Sequence, residues 1–261
     1  LVRHAGGEVY RHMFLSNQNK RHVRFLRFTK KNIKTATFNL KRRLANDRNS
    51  IYVVGSDQVW NPYFRHLSEL DTLSFLNDKT GISYAASFGV NELPDYCDSQ
   101  LCEIGMHFKA VSVREESAKD LLKPYMNDVQ VHVDPTLLLT PHEWEKVMHK
   151  PRRFPKKKYI ALYFLGSLNA MRRAQIREFA EKHRFEIVEF MDKSSVYYSY
   201  GPAEFLWVIQ HAEAVFTDSF HGSVFSFLFD KPFVVYNRED NTHNMSSRME
   251  TFLPLFHLEE Q

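Results

Sequence analysis

Four neighbouring residues, Asp218, Ser219, His221 and Gly222, have the types and spacing to do chemistry. They interrupt an apolar run, Ala214 to Thr217, of the kind that makes a buried strand. Beyond them Val224, Phe225, Leu228 and Phe229 recur at helical spacing until Lys231-Pro232 stops the run. A carboxylate, an imidazole and a glycine at the carboxyl end of a strand stand where open α/β sheets bind ligands. The helix that starts there offers free N–H groups to an anion. An isolated His at such a place does no more than cover a helix start. The crowding of titratable and small residues at one strand end instead favours a working role. Gly222 either lets backbone approach a ligand or simply allows a tight turn.

Two further strand ends carry candidates. The apolar run Ala110 to Val113 ends directly at Arg114, and Glu115 and Glu116 follow in the first turn of a helix, where acids suit the dipole. Arg114 is either an anion clamp or a surface Arg paired with a nearby Glu. Ile51 to Val54 leads into Gly55-Ser56-Asp57, a turn suited to face a ligand, and then to Trp60 and Asn61. Trp60 can stack on a sugar ring or fill the core.

These strand ends need an alternating frame, and the chain has one. In the first half, Ile82 to Phe88 reads as a strand closed by Gly89, and Leu101 to Lys109 has helical spacing. Glu115 to Leu122 is a helix ended by Pro124, and Val129 to Val133 is a strand broken by Asp134-Pro135. A short helix surrounds His142 to Met148. Lys150 to Lys158 has two prolines and six cations without an acid, which marks a linker. The second half runs from a strand at Tyr159 to Leu165, through a helix at Ala170 to Lys182, to a strand at Phe185 to Phe190. A helix at Ala203 to Ala212, the opening motif, a strand at Phe233 to Tyr236 and a last amphipathic helix at Arg248 to Leu258 complete it. Tyr197, Tyr198, Tyr200 and Gly201-Pro202 either border a cleft or cover a core. Alternating strands and helices in both halves argue for parallel sheets and an α/β class, with domains at 1–150 and 151–261.

Composition narrows the classes. With 261 residues, 43% hydrophobic and 25% charged, the chain is an ordinary soluble globular protein of two medium domains. Cys97 and Cys102 make no disulfide framework, and no Cys/His cluster has zinc spacing, so no metal is expected and a reducing cytoplasm fits. No apolar run approaches the roughly 20 residues that span a bilayer. The chain starts at Leu1 without a Met, as a fragment would. Residues 1–50 read as a basic, partly helical lead-in, with ten cations and no acid from Lys20 to Arg43. That run is a solvated face, or it is drawn to an anionic membrane surface, which would place the protein peripherally at the inner membrane face. Sparse aromatics and the lack of any RRM, KH or zinc-finger pattern argue against nucleic acid.

Five pieces in order, Gly55-Ser-Asp-Gln-Val-Trp-Asn-Pro62, Ser83-Tyr-Ala-Ala-Ser-Phe-Gly89, Val111-Ser-Val-Arg-Glu115, Val133-Asp-Pro-Thr-Leu137 and Thr217-Asp-Ser-Phe-His-Gly222, resemble the polysaccharide pyruvyl transferase family over roughly residues 50 to 258. The resemblance implies two Rossmann-like domains facing a cleft, similar to GT-B glycosyltransferases, without the usual first βα unit. It implies phosphoenolpyruvate as donor, used as a substrate with no further cofactor. The implied acceptor is a saccharide hydroxyl pair, lipid-linked in some cases, and the products are a pyruvate ketal and phosphate in cell-surface polysaccharide synthesis. By position Arg114 and His221 match the family's donor-binding Arg and His. Ser219 stands where other branches carry Arg, so the missing guanidinium must come from Arg238 or Arg248. On this reading His221 and Asp218 are catalytic, Arg114, Ser219, Gly222 and Arg248 bind the donor, and Gly55, Asp57, Trp60 and Asn61 bind the acceptor. Two readings compete: a GT-B-type glycosyltransferase using a nucleotide sugar, and a catalytically inactive carbohydrate-binding relative.

Overall fold

The computed structural model describes residues 16–35, 50–64, 67–76, 80–238 and 247–258. Of the basic run, Lys41, Arg42 and Arg43 lie outside the described residues. In chain order the elements are helix α1 (Asn17–Asn32), strand β1 (Val53–Asp57), helix α2 (Glu69–Thr72), strand β2 (Gly81–Ala86), helix α3 (Asp98–His107), strand β3 (Phe108–Val113), helix α4 (Glu116–Leu122) and strand β4 (Val129–Val131). There follow helix α5 (Pro141–Glu145), strand β5 (Tyr159–Tyr163), helix α6 (Ala170–His183), strand β6 (Glu186–Glu189), helix α7 (Pro202–His211), strand β7 (Ala214–Thr217), helix α8 (Phe220–Leu228), strand β8 (Phe233–Val235) and helix α9 (Ser247–Leu255).

The fold is α/β, with two four-stranded sheets that are parallel throughout, ordered β1-β2-β3-β4 and β6-β5-β7-β8. Each is a Rossmann-like layer with crossover helices, as alternating apolar runs require. Contacts divide the chain into two compact units. One comprises residues 37–138 with 241–261, and the other residues 1–36 with 139–240.

In the first unit, the core gathers Trp60, Phe88, Ile104, Phe108, Val111, Val113 and Leu122. Helix α9 joins it from the far end of the sequence, where the Thr251 hydroxyl accepts from the Glu116 N–H that starts α4, at 3.2 Å. In the second unit, β5 alternates strictly. Tyr159 and Ala161 enter one cluster with Leu206, Val215 and Phe225, while Ile160 and Leu162 enter another with Ile176 and Phe216. A two-residue period puts successive side chains on opposite faces, so one short strand anchors both layers. The stretch at 150–158 is packed here as well: Phe154 sits 4.7 Å from the Tyr159 ring and 4.5 Å from that of Trp207, edge on. Tyr197 and Tyr200 of the aromatic loop join the same core, and Tyr200 is 2% exposed.

The order β6-β5-β7-β8 has its switch point between β5 and β7. The chain leaves β5 toward β6 on one side and returns to β7 on the other, opening a crevice beyond the strand ends. Strand β5 stops at Tyr163, two residues short of the apolar run, because the next free N–H groups, of Leu165 and Gly166, are taken by the Asp218 carboxylate.

Candidate functional site

The Asp218–Gly222 motif lies at this switch point. Asp218 is 2% exposed in its side chain, and its two oxygens accept from the N–H groups of Leu165 at 2.7 Å and Gly166 at 2.8 Å. It thereby ties the loop after β5 to the end of β7. The same carboxylate pairs with the Arg238 Nε at 3.3 Å. Thr217 continues the bracing: its hydroxyl donates to the Tyr163 carbonyl at 2.6 Å and accepts from the Ser219 N–H at 3.0 Å.

Ser219 is the N-cap of α8, in extended conformation with its hydroxyl accepting from the Gly222 N–H at 3.4 Å. Ser and Asp are favoured at such a position because a short side-chain oxygen satisfies an orphan donor of the first turn, which an Arg does not do. The sequence reading found only a lost cation at 219; the structure adds a gained cap. Gly222 meets protein. A Cβ there would lie 2.4 Å from the Thr217 hydroxyl oxygen, so the glycine lets α8 press against β7. His221 is half-buried in the first turn of α8, next to the Ser219 cap in sequence.

The first unit gathers a second group of polar residues at its own strand ends. Arg114, 3% exposed, donates from Nη1 to Asp134 Oδ2 at 2.6 Å and from Nη2 to Asp57 Oδ1 at 3.0 Å. Asp134 is held in turn by the Ser56 hydroxyl at 2.9 Å and by the N–H and hydroxyl of Thr136 at 3.0 and 2.8 Å. So the partners of Arg114 are aspartates from the ends of β1 and beyond β4, and Arg114 is a core residue. The sequence reading treated Asp57 as part of a separate group, and Asp134 only as part of a motif. The parallel order β1-β2-β3-β4, which brings all these strand ends to one edge, is what joins them.

Of the other residues singled out at this edge, Trp60 is fully buried against Phe88 and Phe108, ring centres 5.5 and 5.7 Å away, and its Nε1 donates to the Asp71 carbonyl at 2.9 Å. Core packing accounts for this Trp. Asn61 is 1% exposed, and its side-chain oxygen accepts from the Tyr63 N–H at 2.9 Å. Gly55 has φ of +126°, and a Cβ would fall 2.2 Å from the Tyr84 carbonyl oxygen, so backbone proximity explains it. Arg248, in the first turn of α9, is buried, 6% exposed, with the Gln58 amide oxygen able to accept from its two terminal nitrogens at 3.1 and 3.3 Å.

Sequence reasoning passed over Glu115 as a surface helix-start acid, but it is fully buried. Its Oε1 accepts from the Ser87 hydroxyl at 2.8 Å and the Gly89 N–H at 2.9 Å, while Oε2 finds no hydrogen-bond partner among the described residues. Burial pushes its carboxyl above the ordinary 4.5, against the opposing pull of the Gly89 and Ser87 bonds and of Arg114 and Arg248. Because folding raises this pKa, the stability tied to the protonated form is complete below the unfolded value and is lost as pH rises through the folded one. Glu115→Gln keeps the acceptor and abolishes the titration. It should therefore unfold at a higher urea concentration than wild type at pH 7, with the advantage fading toward pH 4. An unchanged difference between the two across that range in urea melts would show that Glu115 does not titrate in the fold.

Among the described residues, no group of three or more His, Cys, Asp or Glu is placed to hold a metal ion, and no helix is long and apolar enough to cross a membrane.

Two parallel Rossmann-like sheets, one with a capped helix, an imidazole and a guanidinium at its switch point, define an α/β protein. Residues 14–241 match the polysaccharide pyruvyl transferase family, and the chain belongs to it. Comparison with the curated proteins and with the solved structures gave no match.

Proposed function

We propose that the protein transfers the pyruvyl group of phosphoenolpyruvate to two hydroxyls of a saccharide, forming a cyclic ketal and releasing phosphate. The observation that carries this reading is the Asp218 carboxylate bridging the ends of β5 and β7, since it anchors Arg238 at the switch point where the helix bearing His221 begins. Phosphoenolpyruvate carries a phosphate and a carboxylate, and helix N-terminal amides with a guanidinium are the groups that suit them.

In the reaction, C3 of the donor gains a proton and becomes a methyl group, leaving positive charge at C2. One sugar hydroxyl adds to C2. The second displaces phosphate, and the two hydroxyl protons balance the one delivered to C3 and the one taken by phosphate. His221 delivers the first proton. Asp218 is its positioning residue, holding the strand ends. Arg238 stands in for the guanidinium that other branches have at the place of Ser219.

Thermal unfolding with phosphoenolpyruvate, compared with UDP- and GDP-sugars, tests the donor. Ligand at 100 times its Kd stabilises by about 2.7 kcal/mol, which moves the midpoint by several degrees. Stabilisation by phosphoenolpyruvate is expected. A shift with a nucleotide sugar and none with phosphoenolpyruvate would replace this reading with a glycosyltransferase.

A further inference from the structure

Helix α1 is attached to its unit along one stripe. Asn17 donates to the Ser195 carbonyl at 2.8 Å, Arg21 to the Tyr198 carbonyl at 3.3 Å and Arg24 to the Ser199 carbonyl at 2.8 Å. Arg24 also pairs with Glu204 at 3.3 Å, and the Arg21 guanidinium lies 5.2 Å from the Tyr198 ring centre. Positions 17, 21 and 24 recur at helical spacing and so define the inward face.

The opposite face has a different character. Val23 and Leu26 are 36% and 56% exposed, Ile33 just past the helix end is 54% exposed, and no residue of the helix is buried. Exposed cations neighbour these apolar side chains at Arg27, four residues from Val23, and Lys30, four residues from Leu26. Between Asn17 and Ala36 there is no acid. Arg27 and Lys30 are three residues apart, so like charges repel along this face and no acid on the helix offsets them.

From this face we infer that α1 docks the protein on an anionic lipid surface. Such a surface answers both features together: headgroups neutralise the cations, and the layer just beneath them takes up Val23, Leu26 and Ile33. An RNA or an acidic protein segment would meet the cations but leave the apolar side chains in water. The inward cations Arg21 and Arg24 are engaged with the unit, so docking by the outer face leaves the attachment of α1 intact. The inference rests on no part of the proposed reaction, and its test reads no activity.

Sedimentation of the full chain with vesicles of phosphatidylglycerol and phosphatidylcholine, against phosphatidylcholine alone, is the experiment. Binding to the anionic vesicles is expected, falling as salt rises from about 50 to 500 mM. Arg27→Gln/Lys30→Gln should weaken partitioning about 30-fold, the loss expected for two cations near such a surface. Val23→Ser/Leu26→Ser should weaken it about fivefold or more while leaving the melting temperature unchanged, since both side chains already face water. Equal sedimentation with neutral and anionic vesicles would overturn the inference. So would full binding by the Val23→Ser/Leu26→Ser variant together with complete competition by single-stranded RNA, which would mark the face as a polyanion surface.

Discussion

His221→Gln is expected to lower kcat by about 10²–10⁴-fold, the usual contribution of a positioned acid or base. A Gln amide has comparable reach but no proton to give. The first turn of α8, where His221 sits, is fixed by the Ser219 cap and the Thr217 bracket, so Gln should occupy the same place without disturbing the fold. Donor KM should change far less than kcat, because the interaction lost is made in the transition state. The reaction run in D₂O supplies an independent readout: the wild-type ketal methyl should carry one solvent deuterium. If kcat holds while donor KM rises, His221 binds the donor and the acid lies elsewhere. If the product retains its CH₂= group, no ketal forms.

The second large effect belongs to Arg114. Replacing it with Ala strands Asp134, whose side chain is 1% exposed, as a buried charge without its cation. Removing one partner of such a pair costs about 3–5 kcal/mol, more than the net worth of the intact pair. Asp57 is the weaker partner at 60% side-chain exposure, so Asp57→Asn should change stability by less than about 1 kcal/mol. The separation is decided by a double-mutant cycle. In an Arg114→Met background, Asp134→Asn removes the stranded charge, yet its amide can still accept from Thr136 and donate to Ser56. That double variant should recover about 2 kcal/mol relative to Arg114→Met alone. Urea unfolding provides the measurement. Additive losses would mean that Arg114 and Asp134 are not coupled, and that the short contact between them adds nothing to stability.

Local order was legible in the sequence because its causes are local. Apolar runs of four to seven residues, broken by Gly, Pro and polar corners, placed β3, β5 and β7 within two residues of their observed limits. The strand-to-helix step around Asp218 was equally readable, since a polar interruption and the spacing of Val224, Phe225 and Leu228 are properties of neighbours in the chain. Five short pieces in one order were enough to indicate the family.

Tertiary structure decided what each polar side chain faces. Glu115 and Glu116 are adjacent acids at one helix start. Only the packing of α4 under Ser87 and Gly89 makes the first a buried carboxyl and leaves the second exposed. Arg114 finds acids 57 and 20 residues away because parallel strands bring their carboxyl ends to one edge. Asp218 reaches back 52 and 53 residues to close the switch point, a contact that exists only because β7 lies beside β5. Packing likewise assigned α1 to the unit of residues 139–240 and α9 to that of residues 37–138. Propensity and periodicity act over a turn or a strand, whereas strand order, and with it the partner of every buried charge, is set by which apolar faces pack together across the whole chain.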